Sequence, residues 1–207
     1  MNLQDKSQGK INVYGGTFYK FDPANNKSEN PAISFVADGY SSLAAGDDFV
    51  VVKGKKVASA KEFKTALQST DVVILVDDVK LSETFAVNKD ITINLNGHNF
   101  DASTNKSRPF NVENGKLTIV GGNSTIKVGA YGLVNIPEGS DAEIVLEGGI
   151  YEGNTDNGAL LKPRGEGKIN ITLKNVKYND KSNNGYVLNL GSYEGEQFVI
   201  KVEGGEF

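Results

Sequence analysis

Residues 144–151 read Ile-Val-Leu-Glu-Gly-Gly-Ile-Tyr, an alternating apolar strand that runs into a glycine pair and an aromatic ring. The pattern returns, with small changes, at 11–18, 93–100, 117–122, 171–178 and 200–207. From residue 97 onward its first glycine, or the substitute, stands at Gly97, Gly121, Gly148, Asn175 and Gly204, so the copies lie 24, 27, 27 and 29 residues apart. Strand-like units with a period of about 20 to 50 residues predict a solenoid.

The aligned copies carry similar side chains at matching positions. Apolar residues stand four and two positions before the glycine: Ile11, Ile93, Leu117, Ile144, Ile171, Ile200, and Val13, Leu95, Ile119, Leu146, Leu173, Val202. Because side chains alternate along a strand, both positions are predicted to face the interior and intervening residues such as Thr172 to face outward. Three positions after the glycine stand Phe18, Phe100, Ser124, Tyr151, Tyr178 and Phe207. We interpret this column as a packing ladder; an exposed platform for sugar rings is the alternative.

The fold predicted from this repeat is all-β: a single-stranded right-handed parallel β-helix of about five coils at 57–207. A second strand precedes most glycine markers, at 110–112, 134–136, 160–161 and 187–190. A short capping helix is predicted at 59–68, where Ser59 and Glu62 have the spacing of a capping box. Phe63, Ala66 and Leu67 form its apolar stripe.

Residues 1–56 are predicted to form a separate coil strand and cap-like segment. Pro23 interrupts the strand that begins the segment, and 25–31 is a polar loop. Strands are predicted at 33–36 and 49–52, around a turn at 46–48. The boundary between the two parts is placed in the run Lys53-Gly54-Lys55-Lys56.

Composition excludes several classes of function. The net charge is −4 and only two of the 22 basic residues are arginines, so we expect no nucleic-acid partner. The chain has no cysteine, which removes disulfides and thiolate chemistry. No apolar run approaches membrane-spanning length, so no membrane insertion is expected. No signal peptide follows Met1, so we expect either export by another route, such as inside a virion, or an excised segment of a longer protein.

Two stretches resemble known families. The coil pattern at 57–207 and 9–18, with the opening Ile-Thr-Ile-Asn-Leu-Asn-Gly-His at 91–98, is similar to the right-handed β-helix of the pectin-lyase-like superfamily. The stretch 15–26, followed by Phe-Val-Ala-Asp-Gly-Tyr at 35–40, resembles segments that terminate β-helices in virion and surface proteins of phages infecting gut Bacteroidetes.

The resemblance implies where chemistry would lie, but the chain departs from the enzymes' pattern. Enzymes of that superfamily use carboxylate clusters, often with calcium, and an arginine or lysine base on one outer sheet. The outward columns here carry Asn, Thr, Val and single Lys or Glu residues, so we predict no catalytic, cofactor-binding or metal-binding residue. Glu147, Lys174 and Glu203 are predicted to stack in successive coils with alternating sign.

Three groups of residues are candidates for chemistry, and each also has a structural interpretation. Asp77 and Asp78 are interpreted as a solvated turn. His98, the single histidine, is interpreted as filling a corner rather than acting as a base. Arg164, with Lys162 and Glu166 beside Pro163, is interpreted as a surface turn.

These features favour a non-enzymatic structural or adhesive module, expected to be a phage virion component such as a fibre, capsid decoration or tail protein. The expected location is the virion or the extracellular or cell surface. The expected partners are further copies of the chain or other virion proteins, with surface polysaccharide as a further possibility. The alternative is a polysaccharide-binding or polysaccharide-degrading (lyase or hydrolase) β-helix protein of a gut bacterium. Because residues 200–207 repeat 11–18, the N-terminal segment is predicted to cap the last coil of its own or a neighbouring chain.

Overall fold

The computed structural model describes residues 9–28, 31–153, 159–163, 167–182, 185–189 and 198–207. The chain divides into two compact units, Met1–Lys56 and Val57–Phe207. We call them unit 1 and unit 2 and describe each separately.

Unit 1 contains a three-stranded antiparallel sheet in the order β1-β3-β2, formed by β1 (Gly16–Phe18), β2 (Tyr40–Ala45) and β3 (Asp48–Lys53). Its core is built on Val13, Phe35 and Val51. The predicted strand at 49–52 lies within β3. The predicted strand at 33–36 is replaced by isolated bridges, of Ile33 to Asn26 and of Val36 to Val13.

Unit 2 begins with one helix, α1 (Ala60–Ser69), which follows a short strand at the boundary, β4 (Lys55–Val57). The hydroxyl of Ser59 accepts the Glu62 N–H at 3.3 Å, and the Glu62 carboxylate accepts the Ala58 N–H at 2.7 Å. These reciprocal bonds satisfy donors that a helix start leaves free. The helix predicted at 59–68 is therefore present, displaced by one residue.

The rest of unit 2 is a β-solenoid of about four turns. Its strands are β5 (Val72–Leu75), β6 (Val79–Lys80), β7 (Phe85–Val87), β8 (Ile91–Asn94), β9 (Phe100–Ala102), β10 (Phe110–Val112), β11 (Asn114–Val128), β12 (Val134–Ile136), β13 (Asp141–Gly153), β14 (Ala159–Pro163), β15 (Ile169–Asp180), β16 (Tyr186–Leu188) and β17 (Phe198–Glu206). Every strand pair described from β5 onward is parallel.

The register divides the stacked strands into three faces. Face A holds β5, β8, the first halves of β11, β13 and β15, and β17; face B holds β6, β9 and the second halves of the same long strands. Face C stacks β7, β10, β12, β14 and β16. Glycine pairs lie between faces A and B, where a Cβ on Gly121 would stand 2.7 Å from the Cα of Gly149. At Gly121 the coils therefore approach too closely for a side chain.

The predicted apolar columns are present from β11 onward. Leu117, Ile144 and Ile171 are register partners and at most 1% exposed. The first copy is displaced, because Ile93 pairs with Ile119 rather than with Leu117. Ile93 and Ile119 are nevertheless both buried, since a shift of two residues keeps a side chain on the same side of the sheet.

The predicted ring column is present at Phe100, Tyr151 and Tyr178, but it is interrupted at one coil, and Phe207 is 60% exposed. Tyr151 pairs with Tyr178, and Ile126 pairs with both Tyr151 and Phe100, so Ile126 takes the place predicted for Ser124. The reason is the corner of β11, which contains two more residues than that of β13. Phe100, Tyr151 and Tyr178 are at most 8% exposed, so these three rings form an internal ladder.

The first coils are filled by phenylalanine rings. Phe63 of α1 is fully buried, with its ring centroid 5.6 Å from Phe85, 6.0 Å from Phe100 and 6.4 Å from Phe110. Edge contacts of this kind contribute beyond area burial. The helix thereby joins its apolar stripe to the core of the solenoid.

The strand β17 differs from those below it. Ile200 and Val202 pair in register with Ile171 and Leu173 and so continue the inner columns. They are nevertheless 42% and 55% exposed, whereas Ile171 and Leu173 are 1% and 4% exposed. In the sheet order β17 occupies the edge, so its inner positions are paired on one side and open to solvent on the other.

Candidate functional site

A groove of about 390 Å³ runs along the outer surface of face B. It is lined by polar side chains over an apolar floor: Asp78, Val79, Lys80, Asn99, Phe100, Asp101, Thr125, Lys127 and Glu152. Val79 and Phe100 are buried beneath it. Side chains alternate along β6 and β9, so Val79 and Phe100 point inward while their neighbours Lys80 and Asp101 point outward. We call these nine residues the face B groove.

Four charges cross the groove in a row. Lys80 pairs with Asp101, Asp101 with Lys127, and Lys127 with Glu152, one residue from each successive coil. Because stacked strands lie ~4.8 Å apart, the carboxylate of Asp101 has an ammonium group on either side, and the carboxylate of Glu152, at the end of the row, has one beside it. Opposite charges directly across strands stabilise the pairing, whereas like charges would oppose it.

Asp101 is held in place by its own turn. The Ser103 hydroxyl donates to Asp101 Oδ1 at 2.6 Å, and the Ser103 N–H donates to the same oxygen at 2.9 Å. Partial burial is the largest influence and by itself raises the pKa of Asp101, but the Ser103 bonds and the neighbouring Lys80 and Lys127 lower it on balance. Asp101 therefore presents a charged, oriented carboxylate to the groove.

A second row joins the coils at the rim of the groove. The Asn99 N–H donates to Asp78 Oδ1 at 2.7 Å and Asn99 Nδ2 donates to Asp78 Oδ2 at 3.1 Å. The Thr125 N–H in turn donates to Asn99 Oδ1 at 3.0 Å. The bonds from Asn99 lower the pKa of Asp78, with a smaller contribution from His98. Asp77, the neighbouring residue, is an exposed turn residue as predicted.

His98 has a carboxylate neighbour that the sequence reading missed. Its Nδ1 stands 3.9 Å from Asp78 Oδ1, and about a third of the imidazole is exposed. Since Val79 pairs with Phe100, Asp78 and His98 lie at adjacent corners of successive coils. They stand 20 residues apart, fewer than the 24 to 29 residues between the glycine markers, so the marker spacing does not reveal the pair. Asp78 is already bonded to Asn99, so this arrangement orients a corner of the groove.

The remaining candidates lie elsewhere. Arg164 and Glu166 are outside the described residues, and Lys162 pairs with Asn135 on face C, away from the groove. The predicted column of Glu147, Lys174 and Glu203 is present in register on face A. Across the described ranges, no three His, Asp or Glu side chains converge in a way that could hold a metal ion.

The groove thus offers donors and acceptors at repeated intervals along a rigid surface. Its ammonium, carboxylate, amide and hydroxyl groups alternate, and the lowered pKa values of Asp78 and Asp101 favour the charged form of these two carboxylates. Such a surface can bind an extended ligand rich in hydroxyl groups through many separate hydrogen bonds.

Comparison with protein-family models, curated proteins and solved structures finds no match to this chain. Within the described part of the chain, no helix has the length and apolar character needed to cross a membrane.

Proposed function

We propose that the chain is a non-enzymatic structural and adhesive β-solenoid module. Its setting is a phage virion, as a fibre, capsid decoration or tail protein, and its location is the virion or the extracellular or cell surface. This setting is supported by the resemblance of residues 15–26 and 35–40 to segments of phage virion proteins. Its partners are further copies of the chain or other virion proteins.

One observation carries the assembly role: β17 presents an open strand edge with apolar side chains. Ile200 and Val202, which continue the inner columns, are 42% and 55% exposed along it. An exposed apolar edge strand is a template for pairing with another strand. In a solenoid such an edge can also join repeats of different chains.

The finer architecture belongs to the same proposal. We propose right-handed winding within the pectin-lyase-like superfamily, about five coils when the coil of β17 is counted, and α1 as the cap over the first coil. The burial of Phe63 among Phe85, Phe100 and Phe110 supports the cap. A covered first coil and an open last strand make the two ends of the stack different, as directional assembly requires.

The test is electron microscopy and analytical ultracentrifugation of the purified full chain. We expect rings, filaments or other defined oligomers. A chain that stays monomeric at every concentration tested would refute the assembly role.

A second candidate function is recognition of polysaccharide in the face B groove, favoured by its alternating polar lining. Binding to a panel of pectins, alginates and capsular glycans should fall on Lys127→Met. The control is Lys116→Met, which removes a lysine bonded to Glu143 at 2.7 Å on face A. Equal binding by both variants would exclude the groove as the glycan site.

The same glycans test for catalysis. Incubation with and without calcium is expected to release no unsaturated or reducing ends. Turnover that disappears on His98→Ala would establish instead a polysaccharide-degrading enzyme.

A further inference from the structure

The edge strand β17 has a recognisable counterpart in unit 1. Residues 200–207 read Ile-Lys-Val-Glu-Gly-Gly-Glu-Phe and residues 11–18 read Ile-Asn-Val-Tyr-Gly-Gly-Thr-Phe. Both share the two inward apolar positions, the glycine pair and the final ring. The second glycines also share a backbone conformation, with φ of 137° at Gly205 and 113° at Gly16. Residues 11–18 therefore match the coil strand in sequence, and they share its backbone conformation at the second glycine only, since Gly204 has a φ of 82° and Gly15 has no positive φ.

Residues 11–14 are hydrogen-bonded along one edge, through the backbone of Val13. The Val13 N–H donates to Phe35 O at 2.7 Å, and Val13 O accepts the Ala37 N–H at 3.0 Å. Because backbone groups alternate in direction along a strand, those of Asn12 and Tyr14 point to the opposite edge. On its inner side Val13 is buried against Phe35 and Val51.

We propose that β17 pairs in parallel with residues 11–14 of a second copy of the chain, joining copies head to tail. This proposal rests on the assembly role proposed above and names its partner and register. Ile200 would stand beside Ile11 and Val202 beside Val13, which extends the columns that already run from Ile144 and Leu146 through β15 to β17. The junction is continuous with the coil-to-coil interface that joins β13 to β15 and β15 to β17.

The second copy would cover the apolar side chains and pair the backbone groups that β17 leaves exposed. Val13, Phe35 and Val51 form a completed apolar core, which would cover Ile200 and Val202 as β15 covers them on the other side. Pairing would also satisfy the backbone groups of β17 that face away from β15.

Within unit 2, the strand that follows unit 1 and the edge strand β17 lie at opposite ends of the stack, and the proposal therefore commits to a second copy as the partner. Unit 2 begins at Val57, whose carbonyl accepts the Val76 N–H in the first coil, and β17 lies at the opposite edge of the sheet. The stack from β5 to β17 spans ~24 Å at ~4.8 Å per strand. Contacts between unlike surfaces of identical chains generate rings or filaments.

The register can be tested by crosslinking, because the chain has no cysteine of its own. In the proposed junction Asn12 stands beside Lys201, and a strand spacing of ~4.8 Å falls within the Cα separation that a disulfide bridges. The double variant Asn12→Cys, Lys201→Cys should form a ladder of covalent dimers, trimers and higher species under oxidation. A mixture of the two single variants should stop at the dimer.

The matched control places the second cysteine out of register. Asn12→Cys with Val199→Cys keeps both thiols on the outer side but separates their Cα atoms by about 8 Å, beyond the usual disulfide range. It should crosslink far less. The proposal would be overturned if the Asn12→Cys, Lys201→Cys variant crosslinked only within one chain. It would also be overturned if both double variants formed the same ladder of covalent oligomers. Oligomers that form without the register-specific crosslink would refute this junction and leave the assembly role standing.

A second pair of variants tests the junction without crosslinking. Val199 and Val202 are equally exposed, at 55%, on opposite sides of β17. Val202→Lys places an unpaired ammonium inside the junction, so self-association should weaken by about tenfold or more. Val199→Lys should leave it unchanged. Equal effects in sedimentation, with both variants retaining the circular dichroism of the parent, would contradict the proposed orientation.

Discussion

The substitution Ile171→Ala measures how much the inner column contributes to stability. Ile171 is 1% exposed and lies in register between Ile144 and Ile200. The change removes about three side-chain carbon atoms, or about 2.4 kcal/mol at ~0.8 kcal/mol each. A cavity enclosed by fixed strands adds to this, so the free energy of unfolding should fall by about 3–4 kcal/mol.

The structure supplies a control with the same chemistry. Ile200 occupies the same column one coil further on but is 42% exposed. Its replacement by alanine leaves no closed cavity, and we expect a loss of about 1 kcal/mol. Thr172→Ala, at a half-buried outward position, should change stability still less.

The assay is guanidinium unfolding followed by far-ultraviolet circular dichroism. The protein is kept dilute, so that association does not bury Ile200. Equal losses for Ile171→Ala and Ile200→Ala would refute the assigned burial. A loss at Thr172→Ala as large as that at Ile171→Ala would refute the strand register.

Three further predictions follow from particular contacts. Tyr151→Phe should raise the free energy of unfolding by about 1 kcal/mol, because the buried hydroxyl has no hydrogen-bond partner among the described residues. A lower free energy of unfolding in urea would contradict this. The pKa of Asp78 is lowered in the folded protein, so this carboxylate stabilises the fold above its ordinary pKa and loses that contribution as the pH falls through its lowered pKa. Asp78→Asn should therefore flatten the acid branch of the pH–stability curve. An unchanged acid branch would show that Asp78 does not stabilise the fold in this way. Gly121→Ala should destabilise by about 2 kcal/mol or more, since its Cβ would meet Gly149 at 2.7 Å; an unchanged melting temperature would show that the corner can open.

Much of the solenoid could be predicted because its signals are local and repeated. Alternation identifies Ile144 and Leu146 as inward positions, and the equal spacing of the copies around Gly148 and Asn175 gives the correct register between β13 and β15. The helix was predictable from Ser59, which begins it. In these segments each residue needs only its neighbours in sequence to determine its direction.

The candidate site could be predicted only in part, because it is assembled across coils. Lys80, Asp101, Lys127 and Glu152 look like isolated charges in sequence, and the register makes them one row. The contact of His98 with Asp78 arises in the same way. Counting from the glycine markers did not find these pairs, because the corner lengths vary between coils.

The sequence by itself determined the strand periodicity, the apolar columns and the capping box of α1, all of which depend on side-chain alternation and local hydrogen bonds. Tertiary structure alone decided the two-residue shift of the first coil, the replacement of Ser124 by Ile126 in the ring ladder, and the exposure of Ile200. The physical reason is that register depends on how many residues each corner accommodates, and burial depends on what packs on the other side of a strand. Neither the register nor the burial of a residue can therefore be predicted from its own identity.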